Sequence, residues 1–208
     1  MRHLVRSTLL LFNIVAATAT GGEYGIEAGS GKDTVYFRST ARLEFIQGET
    51  NDLAGGFEFD IDNPAGPVSG ILRVDLRTLK TGIETRDGHM RDRHLHTEEF
   101  PFAYFQLVGA TGLPASFVAD STYEAAGHGF FYIHGVKRRL STGLKLRMIG
   151  ERLEVRTAFQ INLDDFGIPR PKALFLKLAE TIEVEVILSG YNSLRSTPIV
   201  LPEWPEKG

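Results

Sequence analysis

The sequence contains no cysteine among its 208 residues. Disulfide bonds, thiolate metal sites and cysteine nucleophiles are therefore excluded. This absence does not decide between an intracellular and an exported protein, because exported proteins need not carry disulfides. An excess of positive charge is also missing, since the formal net charge is −3. Without a basic binding surface, no nucleic-acid partner is expected.

Long apolar runs are absent, and the N terminus carries only a short one. Residues 8–17 (TLLLFNIVAA) are too few to span a bilayer as a helix. They follow Arg2 and Arg6, and they lead into Ala17-Thr18-Ala19, the small-x-small pattern of a signal-peptidase site. We therefore predict a signal peptide over residues 1–19, and a periplasmic or secreted protein with no stable membrane insertion. A buried N-terminal strand or helix is the alternative.

Phenylalanine is abundant, with 14 residues against one tryptophan and 6 tyrosines. Because phenylalanine has no polar group, these side chains must fill a thick core or line an apolar cavity. Many of them lie in segments where apolar and polar residues alternate. In the clearest segment, Leu72, Val74 and Leu76 alternate with charged residues. This period of two indicates β-strands with one apolar face.

About eight such segments recur between residues 33 and 190, and helix signals are weak. Closure of an antiparallel sheet into a barrel removes its unpaired edges. We therefore predict an all-β fold, an antiparallel eight-stranded barrel over residues 33–190, with a β-sandwich as the alternative. Residues 20–32 are predicted to be a Gly-rich linker, and residues 191–208 an extended C-terminal tail.

The apolar faces of the predicted strands would converge inside the barrel. An eight-stranded barrel is wide enough either for packed side chains or for one small ligand. Periodicity alone does not distinguish a packed core from a ligand cavity. The candidate ligand-binding residues on these faces are Phe37, Phe45, Phe57, Phe59, Leu72, Val74, Leu76, Phe105, Phe131, Leu146, Phe159 and Ile161.

One polar cluster, residues 82–105, interrupts the alternation. Asp87 precedes Arg91 by four residues, a spacing that stabilises a helical turn. We therefore predict a short helical segment in this mid-chain connection, with Asp87 capping its start. The segment would join two halves of the barrel as a solvated, salt-bridged connection.

Three histidines in this cluster, His89, His94 and His96, invite a metal-site interpretation. On a helix, His89 and His96 would lie about 10.5 Å apart along the axis, which is too far for ligands held about 2.1 Å from one zinc ion. On an extended chain His94 and His96 share a face, but His89 is then remote. No metal site and no cofactor are predicted from this segment alone.

Catalytic patterns are also weak, and the sequence predicts a protein that is not an enzyme. No G-x-S-x-G motif is present. Asp164 and Asp165 are adjacent, so on a strand they would point to opposite faces. Three alternatives stay open: a metal- or haem-binding protein that uses the cluster histidines or His134, a lipid-acting enzyme that uses Asp87, His94 or Glu99, and a packed barrel that binds a protein at its surface.

An ordered set of short motifs runs through most of the predicted domain. They are residues 57–60 (FEFD), 72–79 (LRVDLRTL), Thr81-Gly82, 86–91 (RDGHMR), His94-Leu95, 99–101 (EFP), Gly135-Val136 and 165–168 (DFGI). In these motifs the chain resembles the YceI-like family of lipocalin-like, polyisoprenoid-binding proteins. It departs from the family pattern at residues 162–164, where the family often has an Asn-Arg pair, and at His96, where a serine is common.

The resemblance implies a lipocalin-like barrel, often periplasmic, whose interior holds a long apolar chain. Such a chain would belong to a polyisoprenoid, a quinone precursor or a fatty-acid derivative. We therefore predict an exported binding and carrier protein for a hydrophobic or amphiphilic small molecule. The sequence leaves a homodimer open.

Overall fold

A computed structural model describes residues 22–26, 33–40, 45–170, 172–173, 176–177, 180–191 and 199–204. The predicted signal peptide, residues 1–19, lies outside these ranges. The strands are β1 (Gly22–Ile26), β2 (Thr34–Thr40), β3 (Phe45–Thr50), β4 (Leu53–Phe59), β5 (Ser69–Asp75), β6 (Phe102–Thr111), β7 (Thr122–Ile133), β8 (Val136–Ile149), β9 (Arg152–Asn162), β10 (Lys172–Ala173), β11 (Leu176–Lys177) and β12 (Thr181–Tyr191).

Within the described ranges, helical structure is confined to the connections. The segment between β5 and β6 contains a 3-10 helix, Leu76–Thr78, then helix α1, Glu84–His89, and a π-helical turn, Met90–Leu95. A second 3-10 helix, Leu163–Phe166, follows β9. The short helical segment predicted in the mid-chain connection is therefore confirmed. Among the described residues, no helix is long and apolar enough to cross a membrane.

The long strands form an antiparallel barrel with eight positions around its wall. Strands β4, β5, β6, β7, β8, β9 and β12 pair in that order. Strand β12 pairs with β2 over Glu183–Ile187, and with β1 at Tyr191. Strands β1 and β2 in turn pair with β4 and β3. Strands β1 and β2 thus occupy one position in the wall one after the other, and β3 and β4 occupy the next position in the same way. Because β4 is also the first strand of the order given above, the sheet closes on itself. The predicted eight-stranded barrel is confirmed.

Polar side chains hold the wall together where these two positions are interrupted. The buried Asp33 carboxylate accepts a hydrogen bond of 2.5 Å from the backbone N–H of Ser189 in β12. The Asn51 side-chain amide, between β3 and β4, donates to the Asp33 carbonyl and to Thr34 Oγ1, both at 2.8 Å. These contacts replace the strand ladder at the junction and keep buried polar groups satisfied.

Alternation in the sequence becomes the inner and outer faces of the wall. In β12, the inward-facing Val184 pairs with Phe159 of β9, while Glu183 and Glu185 lie on the outer face. There the Arg38 guanidinium lies 2.8 Å from the Glu185 carboxylate. The charged side chains of this strand therefore lie outside the barrel, and its apolar side chains lie inside.

Two sequence predictions about local structure are wrong. Residues 22–26, placed in the predicted linker, form β1, because the exposed edge of β4 offers backbone partners that the Gly-rich sequence does not reveal. Asp87 does not cap α1: the N-cap residue is Ile83, which makes no side-chain hydrogen bond. Asp87 lies inside the helix, where its carboxylate accepts hydrogen bonds from the backbone N–H and the hydroxyl of Thr81.

The C-terminal tail is described over residues 199–204, which form no regular structure. Its tryptophan, Trp204, packs against the outer wall. The Trp204 ring lies 5.9 Å from the Phe100 ring, 6.1 Å from that of Tyr132 and 6.2 Å from that of Tyr104, measured between centroids. An aromatic cluster therefore fixes the described part of the tail to the outer face of β6 and β7.

We expect Gly129→Ala to destabilise the barrel. A Cβ at Gly129 would lie 1.9 Å from the Gln106 carbonyl oxygen, next to the register shift between Leu107 and Gly109. Because backbone must move to relieve this clash, the free energy of unfolding should fall by about 1–3 kcal/mol in urea denaturation. Gly143→Ala in β8 is the control, since a Cβ there meets no atom within 4 Å. Equal stability of the two variants would contradict the prediction.

Candidate ligand-binding cavity

The barrel encloses a cavity of about 500 Å³. This volume falls within the range of small-molecule sites, which are typically about 300–1,000 Å³. The interior is therefore a cavity and not a fully packed core, a choice that periodicity left open. The predicted residues that line it are Phe37, Phe57, Phe59, Leu72, Val74, Leu76, Phe105, Phe131, Leu146, Phe159 and Ile161.

Phe45 is the exception among the twelve predicted residues. It begins β3, and 60% of its surface is exposed. Its neighbour Ile46 lines the cavity instead. Since two apolar residues are adjacent at the start of this strand, the sequence does not show which of them faces inward. The placement of Phe45 inside the barrel is wrong.

Other lining residues were not among the predicted set. Ile182, Val184, Val186 and Leu188 of β12 line the cavity; the same alternation marks them in the sequence and could have found them. Further lining residues come from the connections and from β3, and no periodic signal marks these. They include Ile46, Leu79, Met90, Leu95, Leu163 and Ile168.

Two threonines contribute polar groups to the wall, and these groups satisfy one another. Thr142 and Thr157 both line the cavity, and their hydroxyl oxygens lie 2.7 Å apart. The Thr142 hydroxyl also donates to the Ala158 carbonyl at 3.2 Å. With this donor used, Thr157 must donate to Thr142. The pair therefore leaves the middle of the cavity effectively apolar.

The end of the cavity next to α1 is polar. Thr81, Thr85, Arg86, His89 and His94 all line this end. The Arg86 side chain donates from Nε to Thr81 Oγ1 at 2.8 Å, and from Nη2 to the Thr81 carbonyl at 3.0 Å. Thr81 is itself held by the buried carboxylate of Asp87. The Arg86 guanidinium is therefore positioned by hydrogen bonds at the mouth of an otherwise apolar cavity.

The opposite end of the cavity is closed by aromatic packing. Phe59 and Phe117 line the cavity there, with their rings 6.1 Å apart in an edge-to-face arrangement. The Tyr123 ring packs against Phe117 at 5.3 Å, also edge to face. Its hydroxyl accepts a 2.7 Å hydrogen bond from the backbone N–H of Val118. The barrel therefore has one polar end and one apolar, plugged end.

The histidines of the polar cluster serve different places in the structure. His89 is exposed on α1 and lines the cavity. His94 donates from Nδ1 to the Pro169 carbonyl at 2.8 Å, and burial lowers its pKa below the ordinary value. His96, in the left-handed conformation with φ 45, turns away to meet His134. The sequence-based conclusion that these three histidines do not converge agrees with this geometry.

His96 and His134 form a stacked, hydrogen-bonded pair. Their ring centroids lie 5.1 Å apart, and His96 Nδ1 lies 2.8 Å from His134 Nε2. His134 Nδ1 lies 3.1 Å from the Phe166 carbonyl oxygen, which can only accept. His134 must therefore donate from Nδ1 and accept at Nε2, and His96 donates to it. Burial, and to a smaller extent the neighbouring His96, lowers the pKa of His134.

The residues named for the alternative functions lie mostly away from the cavity. Of Asp87, His94 and Glu99, only His94 lines it. In the part of the chain that the structure describes, no three His, Asp or Glu side chains are placed to share a metal ion. Asp164 ion-pairs with Arg170 at 2.6 Å on the exterior.

An antiparallel eight-stranded barrel with an apolar cavity and one polar end defines the lipocalin-like class of folds. The chain belongs to the YceI-like family, since the family model described as YceI-like domain matches residues 29–189. Curated relatives named UPF0312 protein, from Pseudomonas putida, are 28% identical over 181 residues, which cover 84% of this chain and 89% of the relative.

Solved structures share the fold at low sequence identity. A polyisoprenoid binding domain from Saccharophagus degradans, implicated in plant cell wall breakdown, has a TM-score of 0.65 at 19% identity, covering 81% of this chain and 98% of that one. Burkholderia cenocepacia BcnA has a TM-score of 0.66 at 14% identity, covering 78% and 99%. The Campylobacter jejuni YCEI protein has a TM-score of 0.59 at 13% identity, covering 74% and 88%.

We expect the stability of the barrel to fall as the pH decreases below about 6.5, partly through His134. The pKa of His134 in the folded protein is lowered from 6.5, so protonation favours the unfolded chain. The stability present above pH 6.5 is therefore lost as the pH falls through the lowered pKa of the folded protein. His134→Asn should weaken this pH dependence, because asparagine tolerates the left-handed backbone at φ 52 and does not titrate.

The measurement is the urea midpoint of both proteins between about pH 5 and 8, the range in which histidine titrates. His94, whose pKa is also lowered by burial, keeps part of the dependence in the variant. His89→Asn controls for the removal of one histidine from the chain. If wild type and His134→Asn lose stability in parallel, the pair does not contribute.

Proposed function

We propose that this protein binds one long-chain amphiphile, such as a polyisoprenoid, a quinone precursor or a fatty-acid derivative, inside its barrel and carries it. The observation that carries the proposal is the apolar cavity of about 500 Å³ running between a plugged end and a polar end. A chain with one polar head matches this distribution of wall chemistry. The description of a solved relative as a polyisoprenoid binding domain supports the same ligand class.

Burial of apolar ligand surface supplies the free energy of binding. A chain that loses about 400 Å² of apolar surface to water would gain about 10 kcal/mol before other terms. Association and the ordering of a flexible chain oppose this gain by several kcal/mol. The affinity should depend more on the length and bulk of the ligand chain than on its head group, because nearly all of the wall is apolar.

The proposed mechanism is binding and release without a chemical step. The polar groups of the cavity wall are used within the protein: the hydroxyls of Thr142 and Thr157 bond one another, and His94 Nδ1 is used by a backbone carbonyl. The Thr81 hydroxyl is held between the Asp87 carboxylate and the Arg86 guanidinium. A carrier needs only differential solvation of its ligand, which the cavity supplies.

We further propose that the protein acts after export. The motivation is the N-terminal pattern, with basic residues, a short apolar run and Ala17-Thr18-Ala19. A lipid carrier is needed in an aqueous compartment next to a membrane, because its ligand does not cross water unaided.

Expression of the full chain in a bacterial host should yield a mature protein cleaved after Ala19, found in the exported fraction. Ala19→Arg should leave the uncleaved precursor, because signal peptidase requires a small residue at that position. Thr18→Gln, at the neighbouring tolerant position, is the control and should be processed normally. Intact-protein mass spectrometry reads out cleavage, and an uncleaved wild-type chain would contradict export by this route.

The ligand proposal is tested with a pair of variants on adjacent residues of β12. Val184 lines the cavity, whereas Glu185 points outward. Val184→Trp should fill part of the cavity and lower the affinity for palmitic acid by about tenfold or more, a loss of about 1.4 kcal/mol. Glu185→Trp, with the same added bulk on the outer face, should bind as the wild type does.

Binding is measured by titration of the delipidated protein, and native mass spectrometry should detect a co-purifying lipid before delipidation. Circular dichroism and urea denaturation confirm that both variants fold. A wild-type protein that carries no lipid and takes up no long-chain probe would overturn the proposed function.

A further inference from the structure

The exposed residues of the cavity wall lie at one end of the barrel. Among the described lining residues, only Thr85, His89 and Pro169 are exposed to solvent. Thr85 and His89 belong to α1, and Pro169 follows the 3-10 helix after β9. Both connections cover the same end of the barrel, since β5 and β9 run toward it. The cavity therefore meets solvent at the α1 end.

Lining residues at the other end are screened from solvent. Pro64 is buried, Val68, Leu113 and Phe117 are mostly buried, and none of the four is exposed. Phe117 is wedged between Phe59 and Tyr123 by edge-to-face contacts. A ligand chain leaving by this route would have to displace a packed aromatic cluster.

Two large apolar side chains are exposed at the open end. Phe45 is 60% exposed at the start of β3, and Ile83 is 50% exposed at the N-cap of α1. Backbone hydrogen bonds of 2.9 Å in both directions between Glu49 and Lys80 align β3 antiparallel to the segment that leads into α1. Phe45, at the start of β3, and Ile83, three residues after Lys80, therefore both lie on the α1 side of this bridge.

Residues next to these two side chains line the cavity. Ile46 follows Phe45 in β3, and Thr85 follows Ile83 by two positions in α1. An exposed apolar pair is thus continuous with the apolar wall. Exposed apolar side chains that border a cavity can contact a hydrophobic ligand. The pair is therefore suited to contact an apolar chain in passage.

We propose that the ligand enters and leaves between β3 and α1, passing over Phe45 and Ile83, which form the portal of the cavity. This inference rests on the proposed function. The two side chains contact the ligand chain while it is partly withdrawn from a lipid bilayer. They thereby cover apolar ligand surface that would otherwise be exposed to water. They do not contact the fully bound ligand, because they lie outside the cavity wall.

This arrangement predicts a kinetic effect without a change of affinity. A group that stabilises only the passage state speeds uptake and release equally, and leaves their ratio, the Kd, unchanged. Residues of the cavity wall behave differently, because they change the Kd. The two kinds of residue are therefore distinguishable in one set of measurements.

The test is stopped-flow uptake of a fluorescent fatty acid from phosphatidylcholine vesicles by the delipidated protein. In the double variant Phe45→Ser and Ile83→Ser, uptake and release should both slow by about fivefold or more, a barrier change that leaves the Kd within about twofold of the wild-type value. Val118→Ser is the matched control, since Val118 is 59% exposed at the plugged end. It should leave both rates unchanged.

The absence of cysteine permits a second, independent measurement. Phe45→Cys can be labelled at a single position with a bulky maleimide, and Val118→Cys can be labelled in the same way. The label at position 45 should obstruct uptake, and the label at position 118 should not.

Two outcomes overturn the portal. Either the Phe45 and Ile83 variants exchange ligand at wild-type rates, or the Val118 variants slow exchange equally. A wild-type protein that takes up no probe at all would instead overturn the proposed function, so the two failures are separate.

Discussion

The pairing of β12 with both β1 and β2 is the contact on which the rest of the barrel depends. It joins the two ends of the sheet, and the Asp33–Ser189 hydrogen bond holds the point where β1 gives way to β2. Once the sheet closes, every alternating strand must turn its apolar face inward. The cavity is then the space that these side chains do not fill, so it exists only when the sheet is closed.

The connections make the two ends of the cavity different. At the plugged end, Phe59, Phe117 and Tyr123 pack edge to face, so their rings are in contact with one another without any ligand. At the α1 end, the buried Asp87 holds Thr81, and Thr81 positions Arg86. A polar mouth and an apolar floor match the proposed amphiphilic ligand, and the same asymmetry places the proposed portal at the mouth.

The polar cluster around α1 has a structural role at one end of the barrel. Its histidines and carboxylates are drawn to separate partners: His94 to a backbone carbonyl, His96 to His134, and Asp87 to Thr81. Each contact ties the connection to a different part of the barrel end. The segment covers the cavity, and the ordinary apolar residues of the strands form the binding wall.

The sequence by itself determined the all-β class and eleven of the twelve proposed wall residues, because alternation is a local property that each strand carries alone. Closure into a barrel was decided by the long-range pairing of β12 with β1 and β2. The side of Phe45, the strand β1, the true partner of Asp87 and the His96–His134 pair were decided only by tertiary structure. Each of these depends on groups distant in the chain, and adjacent apolar residues such as Phe45 and Ile46 leave the facing of a strand undetermined. Whether the interior is empty or filled is likewise a balance between barrel radius and summed side-chain volume, which no single segment contains.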